Sequence, residues 1–310
     1  MKKLHQTQNI SSYNEPLSIC WLDKLSIIFF LLIFFLSTIV LLCNHYYWHY
    51  PLVNYMIDGA GGLFFLLFFC TIGAYFVLGI TSKTTQTLLY ITIYHTIICV
   101  VMYATIAAQL TPFPPIDQWL VLGDHAFHYD TVMILNKLSL YPWIREQLCR
   151  AYNFLDTELL ILPLFLIIQR QFDSIKQFFY LVLSTTLIGF AVYYFFPTTA
   201  PASVLKCAHF LEEQRNTGFK FYQIHHLIPA TSSAGGLISM PSFHIIWAIL
   251  CQHSAWRERW LWFCLLPLNI LVILSALFLG WHYFVDLLGS IVIIAIASMI
   301  AWCARIKMFS

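Results

Sequence analysis

Three side chains in the last quarter of this 310-residue chain combine types that suit phosphoryl transfer: His244, His282 and Asp286. Each histidine stands at the edge of a long apolar run. Ionisable groups seldom sit at membrane depth without a chemical role. The first lies in Met240-Pro241-Ser242-Phe243-His244. Proline is favoured at the first position of a helix, so Pro241 is expected to open one. The backbone N–H groups of Ser242, Phe243 and His244 would then be free at the entrance. Such an entrance attracts anions through unpaired donors and the helix dipole. Ser242 adds a hydroxyl donor and Phe243 its backbone N–H. His244 is placed to protonate a departing alcohol oxygen, because an imidazole with a pKa of about 6.5 cycles near neutral pH.

The second stretch is Gly280-Trp281-His282-Tyr283-Phe284-Val285-Asp286. On a helix, His282 and Asp286 share a face at i, i+4 spacing. A carboxylate bonded to one imidazole nitrogen fixes the tautomer and leaves the other nitrogen nucleophilic. The expected roles are His282 as nucleophile, forming a phosphohistidine, Asp286 as its orienting group, and His244 as acid.

The elements that must position these residues are apolar helices. The chain is 60% apolar and 10% charged, against about 25% charged in a soluble domain. That composition describes an all-α, polytopic membrane bundle. A net charge of +2 is too small to imply nucleic acid as a partner. A span needs about 20 apolar residues, and eight segments qualify or nearly do: 25–43, 61–80, 88–110, 154–169, 177–196, 240–252, 260–279 and 284–304. The fourth and sixth are the shortest. The first is too long for a signal-peptide core and is expected to be retained. Within the loop 111–153, residues 117–122 and 132–138 show helical spacing and are expected to form short amphipathic helices at the interface. Asp156 and Glu158 are expected to begin the fourth helix on the outer side, where they either complement its dipole or bind a polyol head group or pair with an outer-loop base.

Lys and Arg in the loops set the orientation. With the N-terminus cytoplasmic, ten of them fall inside, among them Lys2, Lys3 and Lys24, and six outside. Both termini are then cytoplasmic. Pro241 and His282 both reach the outer (periplasmic or lumenal) face, so the two stretches can share one site. Cys149 and Cys207 fall in outer loops that allow a disulfide between them. The nine cysteines contain no C-x-x-C, and no metal-ligand pattern is present.

These residues resemble the type-2 phosphatidic acid phosphatase and haloperoxidase superfamily, with its motifs Pro-Ser-Gly-His and Ser-Arg-x5-His-x3-Asp. Pro241-Ser242-Phe243-His244 fits the former except at Phe243. Ser275, His282 and Asp286 fit the latter, Ala276 stands where arginine is expected, and Gly289 follows. His-Tyr-Phe-Val-Asp, the bulky Phe243 and the segment Phe196-Pro197-Thr198-Thr199-Ala200-Pro201 are most similar to the inositol phosphorylceramide synthase branch. The resemblance covers 115–300, with the first two helices outside it. It implies a six-helix phosphatase-like core and chemistry without metal or cofactor, and it divides the chain into N-terminal membrane helices at 1–110 and a lipid phosphatase or phosphotransferase core at 111–310. The superfamily's Lys-x6-Arg-Pro motif is not found. With Ala276, this removes the usual phosphate-holding bases, and Lys206, Arg215 and Lys220 are the candidates to replace them.

The leading expectation is a lipid phosphotransferase or lipid phosphate phosphatase, using a lipid or polyol hydroxyl or water as acceptor. Two other readings stand beside it. One is a transporter with a His/Asp proton relay, which would need polar residues through the helix interiors that 25–43, 61–80 and 260–279 nearly lack. The other is an inactive family member that has lost phosphate binding.

Overall fold

The computed structural model describes residues 21–232 and 239–307; Lys2 and Lys3, counted in the orientation, lie outside the described residues. Eleven α-helices and no strands appear among those residues: α1 Trp21–Cys43, α2 Ala60–Leu78, α3 Lys83–Ala108, α4 Asp117–Ala126, α5 Thr131–Ser139, α6 Pro142–Ile168, α7 Phe172–Phe195, α8 Glu212–His225, α9 Phe243–Ser254, α10 Arg259–Phe278 and α11 Phe284–Lys307. Seven of them, α1, α2, α3, α6, α7, α10 and α11, are long and apolar enough to cross a membrane. The eighth expected segment, 240–252, is helical too, but α9 has only 12 residues. It is packed among α6, α7 and α10. The protein is a multi-pass helical membrane bundle.

Burial explains the arrangement. α7 is lined with buried residues and touches α1, α3, α9 and α11, so it forms the centre. α2 buries only Ala60 and packs on α3 at the periphery. Exposed Phe65, Leu66, Phe69 and Phe76 on α2 suit a hydrocarbon solvent rather than water. Aromatic packing joins α3 to α7: Tyr90 stacks on Phe172 at 4.4 Å and Tyr94 on Phe179 at 6.0 Å. The Tyr180 hydroxyl donates to the Ala297 carbonyl at 2.7 Å, tying α7 to α11. A polar group in an apolar interior needs such a partner.

The long connection after α3 is largely helical. α4 and α5 form where amphipathic helices are expected, and Asp130 caps α5 by accepting from the Met133 N–H at 2.9 Å. α6 begins at Pro142, twelve residues before the apolar window 154–169. Its first turns carry Arg145, Glu146 and Arg150, so hydropathy alone hides them. Asp156 and Glu158 therefore lie mid-helix and cannot complement its N-terminus. Glu158 is buried and accepts instead from Asn269 of α10 at 3.1 Å. Cys149 and Cys207 are both free thiols, and Cys207 makes a 3.8 Å contact to Asn136.

The chain alternates direction so that the ends of α3, α7 and α10 meet the starts of α6, α9 and α11. α8 lies across this end of the bundle. Its Gln214 donates to the Leu279 carbonyl at 2.8 Å, and His225 Nε2 donates to the Thr111 carbonyl at 2.7 Å.

Candidate active site

His244 and His282 come together at that end. Their ring centroids are 5.9 Å apart with an interplanar angle of 53°. Between them lies a cavity of about 150 Å³ lined by Tyr152, Thr217, Ser239, His244, Trp281 and His282, among others.

His244 is the second residue of α9. Ser242, not Pro241, stands at the helix boundary: it is the N-cap, and its hydroxyl accepts from the Ile245 N–H at 3.3 Å. The Ser242 oxygen is thus engaged in capping, as is common for serine there. Pro241 lies two residues before Phe243, the first helical residue. The first backbone N–H groups still lack intrahelical acceptors, as at any helix start. Phe243 also lines the cavity. Its ring sits against Phe190 at 5.0 Å and Trp247 at 5.3 Å. A Cβ at Gly189 of α7 would lie 2.7 Å from that ring, so Gly189 makes room for the bulk at this motif position. His244 stacks on Tyr152 of α6 at 4.0 Å and 14°, and Tyr152 stacks in turn on Trp281 at 5.0 Å and 6°. The Tyr152 hydroxyl is 3.3 Å from His244 Nδ1.

His282 lies on the turn between α10 and α11. Gly280 opens the turn with φ +75°, and a Cβ there would meet Phe210 at 2.8 Å. The His282 N–H donates to the Ala276 carbonyl at 3.1 Å. Ala276 itself is fully buried with Leu148, Tyr152, Ile245 and Leu279, so its position is filled by apolar packing.

His282 Nδ1 is 2.9 Å from the Ser239 carbonyl and 3.4 Å from Asp286 Oδ2. A carbonyl oxygen only accepts, so Nδ1 carries the proton and neutral His282 keeps its lone pair on Nε2. Asp286 Oδ2 is held by the Ser239 hydroxyl and the Tyr283 N–H, both at 2.8 Å. The Ser290 hydroxyl reaches the Ser242 carbonyl at 3.1 Å and ties α11 to the start of α9.

A further layer comes from α4. Asp117 is buried; it accepts from the Tyr283 hydroxyl at 2.8 Å and from the Thr199 N–H at 2.9 Å and hydroxyl at 3.0 Å. Burial pushes its carboxyl above the usual range, and the bonds from Thr199 and Tyr283 oppose this. Next to Thr199, the Thr198 hydroxyl accepts from the N–H groups of Ser239 and Met240 at 3.2 and 3.0 Å. Asp124 accepts from the Val285 N–H at 3.1 Å at the start of α11, and burial raises its pKa to about 6.

The three candidate bases separate clearly. Lys206 is exposed. Arg215 donates to the Cys207 and Ala208 carbonyls at 3.1 and 3.3 Å. Lys220 is buried 5.4 Å from the Tyr55 ring centroid, and burial lowers its pKa to about 8. It lines a small void with Thr198, Thr199 and Thr217, and Thr217 also lines the histidine cavity. Sequence reasoning misses Ser239, Tyr152 and Asp117. Only Asp117 leaves a trace, as an acidic residue opening an amphipathic segment.

No curated protein and no solved structure matches the chain. A family model described as PAP2 superfamily matches residues 118–300, more than half of the chain. The match spans α5 to α9, most of α4 and α11, and all of α10, and it includes both histidines and Asp286. This multi-pass membrane protein therefore belongs to the PAP2 superfamily, whose members are phosphatases and phosphotransferases.

Proposed function

We propose that the protein moves a phosphoryl or phosphorylated head group from a lipid to an acceptor in the cavity between His244 and His282. The observation that carries this reading is the pair of imidazoles 5.9 Å apart across a shared cavity. Nε2 of His282 attacks phosphorus, the N–P bond forms, and the bond from phosphorus to the lipid oxygen breaks. Burial and the neighbouring His282 lower the His244 pKa to about 3, so His244 takes up its proton as the phosphate anion binds beside it; it then gives that proton to the lipid oxygen, and the lipid leaves as an alcohol. An acceptor hydroxyl, or water, then attacks the phosphohistidine. The N–P electron pair returns to His282 and the acceptor's proton passes to His244. Asp286 stabilises the cation that develops on His282 during attack, as in other His–carboxylate pairs. Tyr152 holds the His244 ring in plane.

Lys220 is the base best placed to offset the phosphate charge, because it lines a void that shares Thr217 with the histidine cavity. The α9 N-terminus with Ser242 and Phe243 adds dipole and backbone donors. Residues 111–310 form the catalytic core in this reading. The Lys and Arg distribution supports a site on the outer face with both termini cytoplasmic. The His-Tyr-Phe-Val-Asp stretch and Phe243 support a transferase of the inositol phosphorylceramide synthase type, with a lipid or polyol acceptor. The test uses purified protein with labelled phospholipids, scoring free phosphate against a new lipid. Activity lost in both His282→Ala and His244→Ala supports the reading. Full activity in both variants on every substrate turned over refutes it.

A further inference from the structure

A second space adjoins the histidine cavity. It is a cleft of about 310 Å³ between α1, α3 and α7, at the lower end of small-molecule pockets. Its origin is in the sequence. Ala104, Ala107 and Ala108 are all buried and lie within about one turn of α3, and Ala191 lies on the facing stretch of α7. Small side chains at i, i+3, i+4 spacing leave a trough along one helix face. Ile33 and Ser37 of α1, both buried, close its back. Leu36 and Ile39, 49% and 55% exposed, form a lip on the lipid-facing side of α1.

Phe190 lines both this cleft and the histidine cavity. On α3, Thr105 lines the histidine cavity and its neighbour Ala104 the cleft. One aromatic ring and one helix turn therefore stand between the reactive imidazoles and an apolar trough. Along α7 the trough runs from Thr186 to Phe195, about 14 Å at 1.5 Å per residue. The hydrocarbon of one leaflet is about 15 Å deep, half of a ~30 Å core.

We propose that this cleft holds a hydrocarbon chain of the lipid whose phosphate lies at His282, with Phe190 as the divider between chain and head group. The inference rests on the phosphoryl-transfer reading of the two histidines. It assigns a role to helices outside the region matched to the superfamily: α1 and α3 supply two of the three walls, so chain selectivity is built by the helices that precede residue 118.

The test uses the full chain in nanodiscs with two photoactivatable probes. One is phosphatidic acid with a diazirine in its acyl chain, and the other is the matching diacylglycerol. Cross-links are mapped by mass spectrometry. The proposal expects Ile33–Val40 and Thr186–Phe195 to be labelled by the phosphatidic acid with roughly tenfold preference over the diacylglycerol, a difference worth about 1.4 kcal/mol. Equal labelling by both probes would mean ordinary bilayer contact and would overturn it, as would labelling confined to other helix faces. Ala107→Phe, which fills the trough, should lower the ratio of long-chain to short-chain turnover by about tenfold; an unmoved ratio in a variant that still turns over lipid overturns the proposal as well. Phosphate-dependent labelling of the cleft in a protein that turns over no lipid phosphate would leave the cleft standing and remove the catalytic reading.

Discussion

The Ser239 carbonyl lies 2.9 Å from His282 Nδ1, closer than the Asp286 carboxylate at 3.4 Å. The tautomer that leaves Nε2 nucleophilic is thus fixed by backbone as well as by charge. Ser239 also donates its hydroxyl to Asp286, so a single residue holds both members of the pair.

This division of labour predicts unequal losses. Asp286→Asn removes the charge that stabilises the developing imidazolium but leaves the Ser239 carbonyl in place. Turnover should fall about 10²- to 10³-fold, the range of a single electrostatic group. His282→Ala should fall further, to background. Steady-state kinetics on the same lipid would compare them, and equal losses would contradict a separate role for Ser239.

Phe243 and Gly189 should behave as a coupled pair. Gly189→Ala places a methyl within 2.7 Å of the Phe243 ring, and overpacking of this kind costs about 1–3 kcal/mol. The strain would reach His244 through the adjacent residue. Phe243→Leu in the same protein should restore some of the lost thermal stability and activity. Thermal unfolding in detergent across the four-member cycle measures the coupling; additive losses would show that the two do not touch in solution.

Lys220 should give anion binding a distinctive pH limit. Burial lowers its pKa to about 8, so it is cationic below that pH and loses its charge as pH rises through it. An ordinary lysine stays charged to about 10.4. Affinity for tungstate, whose charge is constant in this range, should fall as pH climbs through about 8, and Lys220→Met should remove that step. Calorimetric titration would show it. A step unchanged in the variant would assign the charge elsewhere.

Much of this site is legible in the sequence, and the missing elements share a cause. Asp286 lies in the first turn of α11 and His282 four residues earlier on the turn before it, and Pro-Ser-x-His marks the start of another helix, so local spacing announces both. Ser239 acts partly through its backbone carbonyl, which any residue would supply. Tyr152 meets His244 across 92 positions and Asp117 meets Thr199 across 82, and no local period marks such pairs. The fold is legible where apolar residues cover a whole helix. It is not at the start of α6, where a half-polar segment continues an apolar one. Pro142 after Tyr141 is the available signal for that start. Pro241 falls two residues before the first residue of the helix it is expected to open, because Ser242, a strong N-cap type, competes for the same boundary.

Asp124 links the interfacial helix α4 to the start of α11 and should mark acid stability. Its folded pKa of about 6 exceeds the ordinary aspartate value of 3.8. The fold therefore binds this proton more tightly than the unfolded chain does. The group's contribution to stability is full below about pH 4 and declines as pH rises to about 6. Asp124→Asn should flatten the dependence of melting temperature on pH in that window. An identical slope in both proteins would contradict the assignment.

The mechanism stands or falls on a covalent bond between phosphorus and His282. A rapid alkaline quench of the enzyme with a lipid labelled in its phosphate, followed by mass-spectrometric mapping of the modified residue, looks for that bond itself. Phosphate should appear on His282 within a single turnover and be absent from His282→Ala. Turnover with no phosphoprotein at any time, or label on another residue, would refute the mechanism.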